Sequence, residues 1–404
     1  MKKVLLVYVS AGAGHQKAAE ALYQFLKDNH PELELQIIDL LDYTPASFRL
    51  FYSKGYIFLI SKLPWLWHLL YRTSSLFANN KIFAYLDYLT ALPFVDLLVR
   101  ERPDVVISTH FLTSSILTVF KKKNPARNIK LVSIITDYNL HPLWLGEGGD
   151  LYIAACDFAR EELLRRNVPA DKVRVRGIPA KEKFYRQEDR KQIAAKYGIK
   201  DSVFTVLIIT GAVGLGPIEE IAKALAGEIQ VLAVCGKNKR LYQRLNALAS
   251  RSLSVIASDR RERSNPKNEI ASSSREAGLL AMTNKFGLLK AFPLIDYVDE
   301  LMSVTDAVIT KAGGLTITES LAKGLPMVFF SNIPGLESSN ARVLSENGCA
   351  FDTSGIEEIK QRVLSLKNNP VFYQQTVSSI IRFRKSQTLT AIACEIKNLL
   401  TCRG

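Results

Sequence analysis

The residues best suited to chemistry in this sequence lie in the segment 311–340. A short β-branched run leads into a turn at Gly313 and Gly314, and an amphipathic segment begins at Thr316. This order predicts a strand, a loop and a helix. The glycines let a ligand approach the backbone, and the free N–H groups of a helix N-terminus suit an anion. Because Glu319, one turn into the helix, can accept hydrogen bonds from two ribose hydroxyls, the segment predicts a site for a nucleoside diphosphate.

A second Gly-rich turn lies near the N-terminus, between a predicted strand and a predicted helix. It contains Gly12 and Gly14, where a substrate can meet the backbone, and His15 follows at the helix start. A neutral imidazole at this place can take a proton from an acceptor hydroxyl. The turn is not a G-x-G-x-x-G dinucleotide fingerprint, because position 17 is a lysine rather than the third glycine.

A third cluster of polar side chains follows two other predicted strands of the first half. Asp137, His141 and Trp144 come after one strand, and His110 comes after another. The carboxyl ends of parallel strands line the ligand crevice, so we predict that these residues face it. Asp137 is the rival of His15 as general base, or it orients His15. A helix cap is the plain structural interpretation of an aspartate at a strand end.

Two further turns in the second half follow predicted strands, and the first of them, from Gly211 to Gly216, is a candidate for the opposite wall of a diphosphate site. Their glycines allow close approach of a ligand to the backbone, although ordinary strand-to-helix loops have the same composition. The residues in question are Gly211, Gly214, Gly216, Gly236, Lys237 and Asn238.

The segment 311–340 resembles the donor-binding signature of nucleotide-sugar glycosyltransferases with two Rossmann-like domains. It is most similar to that of the monogalactosyldiacylglycerol synthases and processive diacylglycerol glucosyltransferases, roughly K-x-G-G-L-T-I-x-E-x-x-x-x-G-x-P and then P-x-P-G-Q-E-x-x-N. Leu336 stands where the family has a Gln that is expected to touch the donor sugar. The motifs S-A-G-A-G-H and T-D-Y-N-L-H-P-L-W also resemble this family. The matching positions of the signature are Lys311, Gly313, Gly314, Leu315, Thr316, Glu319, Gly324, Pro326, Pro334, Gly335, Glu337 and Asn340.

The resemblance implies a role for several donor-side residues, and it places the turn of Gly236, Lys237 and Asn238 near the nucleotide. Glu319 would hold the ribose of a UDP-sugar, and Glu337 with Asn340 would contact the sugar. The backbone of Ile295 would contact the uracil, with Pro293 standing where the family has a glycine. The resemblance also implies inversion of the anomeric centre.

An aromatic and basic stretch at 44–95 is the candidate acceptor region. It contains Trp65 and Trp67, and Asp87 is the single acidic residue in its middle. Tryptophan and tyrosine favour the bilayer interface, and neighbouring basic residues favour anionic head groups. A similar region in the diacylglycerol-glycosylating enzymes is associated with the lipid acceptor. The alternative is a pair of amphipathic helices packed on its own domain.

Length, charge and cysteine content limit the possible classes. A chain of 404 residues predicts two domains. The five cysteines lack paired spacing, which fits a reducing compartment and argues against zinc or a disulfide framework. No run reaches the roughly 20 apolar residues of a membrane span, and the short N-terminal run is interpreted as a core strand rather than a signal peptide. The net charge of +14 suits an acidic substrate or an anionic lipid surface, whereas dispersed basic residues without a recognition helix argue against nucleic acid.

Strands alternating with helices predict an α/β fold with parallel sheets. We expect two Rossmann-like domains facing across a cleft (the GT-B architecture of the resembling family), at 1–178 and 179–375. The Ser-rich and charged segment at about 251–284 is predicted to be an inserted surface loop. Residues 376–404 are predicted to be a C-terminal helix that returns to the first domain, as in the resembling family. The predicted strands cover 4–9, 35–38, 105–108, 131–136, 151–155, 173–176, 205–210, 231–234, 288–292, 307–310 and 327–330.

The main functional hypothesis is an inverting transfer of glucose or galactose from a UDP-sugar to diacylglycerol. His15 or Asp137 would be the base, and the amides of Gly314 and Thr316 would stabilise the departing UDP without a metal or another cofactor. The expected partners are a UDP-hexose, diacylglycerol or a related lipid, and an anionic membrane surface, with no nucleic acid. The expected location is cytoplasmic, peripheral on the cytoplasmic face of a membrane. The alternatives are transfer to a polyprenyl-diphosphate type of acceptor, and a nucleotide-sugar-binding membrane protein without turnover.

Overall fold

The computed structural model describes residues 1–10, 12–55, 58–59, 62–63, 65–66, 69, 73, 80–145, 148–262, 286–330 and 335–401. Trp67 and Pro334, both named above, lie outside these residues.

Within the described residues, the strands form two parallel six-stranded sheets. The first sheet has the order β2-β1-β3-β4-β5-β6, and the second has the order β12-β11-β10-β7-β8-β9. The predicted α/β class with two Rossmann-like domains is therefore confirmed. The strands are β1 (Lys2–Tyr8), β2 (Leu33–Asp39), β3 (Val105–Ser108), β4 (Lys130–Ile134), β5 (Leu151–Ala154), β6 (Val173–Val175), β7 (Thr205–Ile209), β8 (Gln230–Val234), β9 (Leu289–Phe292), β10 (Ala307–Thr310), β11 (Met327–Phe330) and β12 (Ala350–Thr353).

Several central strands are buried along their whole length, as expected of parallel strands covered by helices on both faces. β3, β7 and β10 have no exposed residue, and each is mostly a run of β-branched or aliphatic side chains. β12 was missed by sequence reasoning. It is short and lies at the edge of its sheet, where Asp352 interrupts the apolar pattern.

Each sheet has one place where the direction of strand addition reverses. In the first sheet β1 lies between β2 and β3, and in the second sheet β7 lies between β8 and β10. Ligands of open α/β sheets bind at the carboxyl ends of the strands at such a reversal. The loop with His15 follows β1, and Thr109 with His110 follows β3. Gly211 follows β7 and Gly313 follows β10, so the predicted site residues lie at both reversals.

Helices cover the faces of both sheets. The helix after β8 runs to Glu262, so the first twelve residues of the predicted loop at 251–284 are helical instead. No Pro or Gly occurs before Pro266 to end that helix. The helices are α1 (Ala13–Asn29), α2 (Ala46–Leu50), α3 (Lys81–Thr90), α4 (Leu92–Glu101), α5 (Phe111–Lys123), α6 (Asp157–Arg165), α7 (Arg190–Tyr197), α8 (Ile218–Leu225), α9 (Lys239–Glu262), α10 (Val298–Ser303), α11 (Gly314–Lys323), α12 (Leu336–Glu346), α13 (Ile356–Asn368), α14 (Pro370–Phe383) and α15 (Thr388–Thr401).

The C-terminal segment crosses from the second sheet to the first. It is two helices rather than one, because Arg384 is extended and its guanidinium donates to the carbonyl oxygen of Ala322 at 3.2 Å. α15 then packs Leu389 and Ile392 into the core beside β1. Glu395 pairs with Arg176 at 2.5 Å, which fixes this helix to the end of the first domain.

Candidate active site

His15 lies in the first turn of α1, and two threonines at strand ends hold its ring. Its Nδ1 is 2.8 Å from the carbonyl oxygen of Thr109 and 2.9 Å from the hydroxyl oxygen of Thr136. A carbonyl oxygen carries no proton, so Nδ1 must be the donor in this contact. In the neutral ring the lone pair is then on Nε2. The Thr109 hydroxyl also donates to the backbone carbonyl of His15 at 3.0 Å, which fixes the start of the helix.

Burial keeps the His15 ring neutral. Desolvation lowers its pKa to about 4, and the hydrogen bond to Thr109 opposes that shift only in part. The ring meets that of His110 edge-on at 4.7 Å. His110 is buried, caps α5 by accepting from the amide of Leu112, and has a pKa held well below its usual range by burial. A neutral His15 with a free lone pair is a competent proton acceptor.

Asp137 is buried in the loop between β4 and β5. Burial raises its pKa to about 7, Asn340 opposes this shift by donating a hydrogen bond at 3.2 Å, and the charge of Glu337 adds to it. The capping residue in this loop is His141, whose Nδ1 accepts from the amide of Leu143. The short helix that follows, Pro142–Trp144, is therefore capped by His141 and not by Asp137. Helix capping does not account for an aspartate at position 137.

The two domains meet tightly at the carboxyl end of β4. A Cβ atom on Gly314 would lie 2.1 Å from the carbonyl oxygen of Thr136, so the backbone of α11 rests directly on the first domain. The Tyr138 hydroxyl is 2.9 Å from the hydroxyl of Thr318, on the next turn of α11. We call this contact between 136–140 and α11 with α12 the seam. It brings the His15 and Asp137 region next to the predicted donor loop.

The N-terminus of α11 is open to an anion. Gly313 is its N-cap and provides no side-chain cap, and the first N–H groups of a helix have no acceptor within the helix. These groups belong to Gly314, Leu315 and Thr316. No atom lies within 4 Å of a Cβ placed on Gly313, so there is room for a ligand beside this backbone. The helix dipole adds to the attraction for a phosphate.

Glu319 lies on the same helix, is 7% exposed, and has a pKa raised to about 7 by burial. Lys17 and Lys183 lower that pKa, and neither offsets the effect of burial. Within the part of the chain that the structure describes, no side chain donates a hydrogen bond to its carboxyl group. A buried carboxyl with spare acceptors suits the predicted ribose contact.

The remaining donor-side residues of α12 are engaged inside the protein. Lys311 pairs with Glu337 at 2.8 Å across the loop from β10. Asn340 is fully buried, and both hydrogen atoms and both lone pairs of its amide are used. A contact between Asn340 and a sugar would have to replace one of these bonds, so the predicted contact stays a prediction.

The two other Gly-rich turns interlock after β7 and β8. A Cβ on Gly214 would lie 2.0 Å from the carbonyl oxygen of Cys235, and one on Gly236 would lie 2.5 Å from that of Ala212. Both glycines have positive φ, which other residues adopt at a cost. The Gly211 position is open instead, since a Cβ placed there would meet no atom within 4 Å. A Cβ on Gly216 would lie 2.5 Å from the Phe330 ring. The last two members of these turns are the exposed Lys237 and the half-buried Asn238, which caps α9 through Leu241.

Ile295 follows β9 and is half-buried against the large core cluster of the seam. Its backbone amide and carbonyl make no hydrogen bond to any other described residue. Both groups are therefore available to hydrogen-bond a uracil ring, and the uracil contact stays a prediction.

Two of the residues predicted to bind the acceptor differ sharply in exposure. Trp144 is 2% exposed, and its ring packs in the core at 6.4 Å from that of Phe111. Trp144 therefore packs beneath the loop that contains Asp137. With its side chain buried in this way, it cannot contact a lipid. Trp65 is 66% exposed and lies on the surface. Gly12 is exposed, and a Cβ placed there would meet no atom, whereas Gly14 would approach Leu315 of α11 at 3.9 Å.

An apolar surface lies on the first domain around α3. Lys123 of the neighbouring α5 lies over the Tyr85 ring at 4.8 Å, so a cation borders this surface. No single described helix is long and apolar enough to cross a membrane, although α3 and α4, bent by 76°, pass that test as a pair. The exposed apolar side chains of α3 and the start of α4 are Ile82, Phe83, Tyr85, Leu86, Leu89 and Leu92. Leu50 at the end of α2 and the following Phe51 are also exposed.

Among the residues that the structure describes, no three His, Cys, Asp or Glu side chains come together as metal ligands would. The site instead contains the free N–H groups at the start of α11 and the neutral imidazole of His15, with Lys17 and Lys183 close enough to lower the pKa of Glu319.

Comparison with known proteins agrees with this geometry. Residues 15–180 match the family model of monogalactosyldiacylglycerol (MGDG) synthase, and residues 243–387 match the C-terminal domain of glycosyltransferase family 28. The two models, one in each half of the chain, both describe glycosyltransferases. It is 27% identical over 409 residues to the processive diacylglycerol beta-glucosyltransferase of Bacillus pumilus, covering 99% of this chain and 96% of that protein.

A plant protein is also similar. Monogalactosyldiacylglycerol synthase 1 of Arabidopsis thaliana is 28% identical over 382 residues, covering 90% of this chain and 64% of the relative. Among solved structures, Acinetobacter baumannii MurG has a TM-score of 0.58 at 13% identity, covering 98% of this chain and 100% of that one. The S. aureus MnaA–UDP structure has a TM-score of 0.59 at 14% identity, covering 100% and 99%. The solved structures show a shared GT-B fold.

Sequence reasoning missed the residues that hold His15. Thr109 and Thr136 come directly after β3 and shortly after β4, and their position at the strand ends was the available signal. Nothing local to either threonine indicates that both meet one histidine ring.

Proposed function

We propose that this glycosyltransferase moves glucose or galactose from a UDP-sugar to the free hydroxyl of diacylglycerol, with inversion at the anomeric carbon. The observation that carries the proposal is the seam. It packs the N-terminus of α11, suited to a diphosphate, against the domain that holds a neutral His15 with a free Nε2. The names of the two relatives support the acceptor, since one is a diacylglycerol glucosyltransferase and the other a galactolipid synthase.

The reaction needs one displacement. The lipid oxygen attacks the anomeric carbon from the face opposite UDP, and the bond between that carbon and the UDP oxygen breaks with its electron pair on UDP. His15 Nε2 takes the hydroxyl proton, and the imidazolium later loses it to solvent. The carboxylate form of Asp137, next to Thr136 at the seam, would stabilise the imidazolium of His15.

The departing diphosphate gains negative charge as the bond breaks. The free amides of Gly314, Leu315 and Thr316 would meet that charge without any reorganisation, which is the efficient form of electrostatic catalysis. Glu319 would hold the ribose hydroxyls, and Glu337 would hold the sugar, paired with Lys311. In this proposal the chain uses no metal or other cofactor.

The acceptor would enter from the apolar surface around α3. An exposed apolar patch bordered by basic side chains suits the interface of an anionic bilayer. The net charge of +14 adds long-range attraction to such a surface. We therefore place the protein on a membrane surface, with diacylglycerol drawn from the bilayer towards His15.

The test is incubation with labelled UDP-glucose and UDP-galactose, each separately, and vesicles that contain diacylglycerol with or without phosphatidylglycerol. Label is expected in the lipid extract with one donor, and more of it when phosphatidylglycerol is present. Label that appears only when a polyprenyl-diphosphate-linked sugar replaces diacylglycerol would contradict the acceptor. Binding of UDP without transfer from either donor to either lipid would contradict the enzymatic function.

A further inference from the structure

Asn340 connects the two domains at the seam with a complete set of hydrogen bonds. Its Oδ1 accepts from the amides of Tyr138 and Asn139 at 2.9 and 3.2 Å. Its Nδ2 donates to the carboxylate of Asp137 at 3.2 Å and to the carbonyl oxygen of Ala312 at 3.1 Å. Residues 137–139 belong to the first domain, and Ala312 and Asn340 belong to the second.

The pattern of donors and acceptors needs a primary amide at this position. The two backbone N–H groups require an acceptor on one side, and the carboxylate and carbonyl require two hydrogens on the other. Aspartate has the same shape as asparagine and lacks both hydrogens. In a site with no exposed surface, each lost bond leaves a buried group unpaired.

Asn340 also shares a helix face with the predicted sugar contact. It lies three residues after Glu337 on α12, so the two side chains are neighbours on one side of that helix. Glu337 is paired with Lys311 of the donor loop. A movement of α12 on donor binding would thus move the Asn340 amide that is hydrogen-bonded to Asp137.

We propose that Asn340 is a positioning residue that couples the donor-binding helix α12 to the carboxyl group of Asp137, and that this is its role in the transfer reaction. The inference rests on the proposed function. It differs from a sugar contact because the side chain acts through another residue of the first domain.

Several charged or titratable groups lie around Asp137 and must be considered in any pH dependence. Glu337 faces it from α12, with Lys311 beyond. His15 of α1 is bonded to the adjacent Thr136, and the Tyr138 hydroxyl meets Thr318 on α11. A second carboxylate at position 340 would add a like charge closer to Asp137 than Glu337 supplies.

The experiment compares the unaltered chain with Asn340→Asp in the transfer assay between pH 5 and 9. We expect kcat at pH 7 to fall at least about tenfold and the acid limb of kcat/KM to move up by about one pH unit. The Kd of UDP should change less than about threefold, because the proposed role does not involve the nucleotide. In an Asp137→Asn background, the same change should cost little further activity, since the group that Asn340 positions is already gone.

Matched variants separate this role from general destabilisation. Asn347→Asp makes the same substitution at the C-terminal end of α12, at an exposed side chain that bonds only its own helix, at Val343. It should keep both kcat and the pH profile. If Asn340→Asp does not fold, the reciprocal Asp137→Asn, Asn340→Asp chain restores an amide–carboxylate pair and leaves only the bond to the Ala312 carbonyl unreplaced. It should therefore be more stable than the Asn340→Asp chain, and it should fold and bind UDP.

Four results would overturn the inference. A rise in KM for the UDP-sugar with unchanged kcat and pH profile would make Asn340 a sugar contact. Additive losses in the double variant, or a reciprocal chain that neither folds nor binds UDP, would remove the link to Asp137. No transfer by the unaltered chain would overturn the proposed function itself, and this inference with it. That result is distinguishable from a failure of the inference alone, because it is obtained before any residue is substituted.

Discussion

The Nδ1 atom of His15 lies 2.8 Å from the carbonyl oxygen of Thr109, a residue 94 positions away in the sequence. Because the carbonyl can only accept, this contact decides which ring nitrogen carries the proton and which is free to receive one. The hydroxyl of Thr136 shares the same Nδ1–H at 2.9 Å. The base in the proposed reaction is therefore oriented by the ends of β3 and β4, and not by its own helix alone.

Replacing Thr136 by Val should weaken the hold on the His15 ring. The loss of one hydrogen bond of about 1 kcal/mol predicts a decrease in kcat of roughly fivefold with little change in UDP affinity. Thr136→Ser retains the hydroxyl and serves as the control in steady-state transfer assays. Equal rates for the Val and Ser variants would show that the hydroxyl does not orient the base.

Gly314 and Gly313 are adjacent and are predicted to respond in opposite ways to an added methyl group. Gly314→Ala places a Cβ 2.1 Å from the Thr136 carbonyl oxygen, so the seam must open, and we expect a lower Tm together with a loss of transfer. Gly313→Ala meets open space at a φ of −79° and should keep the Tm. Its methyl group would occupy room beside the phosphate cradle and should weaken UDP binding in calorimetry. A normal Tm for Gly314→Ala would contradict the tight seam.

The rate of transfer should depend on the ionisation of Asp137. Burial raises the pKa of Asp137 to about 7, so the carboxylate that would stabilise the His15 imidazolium in the proposed reaction forms only as the pH rises through that value. His15, with a pKa lowered to about 4, is already neutral over this range. We therefore expect kcat/KM to increase from about pH 5.5 to about 8.5 with a midpoint near 7.

The Asp137→Asn variant supplies the control for this pH dependence. It should keep a reduced rate that no longer rises through pH 7, since the neutral His15 base remains. A profile that is unchanged in Asp137→Asn would assign the titration to another group. Complete loss of transfer in this variant, with His15→Ala retaining activity, would instead make Asp137 the base.

Ile82 and Leu86 lie one turn apart on α3 and are 69% and 50% exposed. Changing both to Ser removes apolar area from the proposed membrane surface, and we expect vesicle affinity to fall by about tenfold or more. The Tm should hold, because neither side chain is in the core. Val371→Ser with Ile381→Ser, which are similarly exposed on α14 of the second domain, is the control in vesicle sedimentation. An equal loss of vesicle binding in both pairs would contradict a membrane surface at α3.

Most strands could be predicted from the local sequence, because a buried parallel strand is a continuous run of apolar residues. The observed bounds of β3, β10 and β11 coincide with their apolar runs, each closed by a turn. Edge strand β12 carries no such trace, and the helical 251–262 segment contradicts a loop that its polar composition suggested. The break between α14 and α15 lies at Arg384, whose hydrogen bond to Ala322 joins residues far apart in the sequence and leaves no local signal.

The site was predicted less completely, because its decisive contacts join residues far apart in sequence. The glycines and carboxyl groups were found from their places after strands. The burial of Trp144 and the full bonding of Asn340 depend on packing between elements and had no local signal. The same holds for the contact of His15 with Thr136, 121 residues away.

The central claim is that His15 takes the proton of the lipid hydroxyl while the second domain holds the nucleotide. The most direct measurement is the initial rate of hexose transfer to diacylglycerol by the unaltered chain and by His15→Ala, with UDP binding measured on the same preparations. We predict transfer by the unaltered chain, a fall in kcat of about a hundredfold or more in His15→Ala, and an unchanged Kd for UDP. Retention of most of the transfer rate by His15→Ala, with the same Kd, would contradict the account.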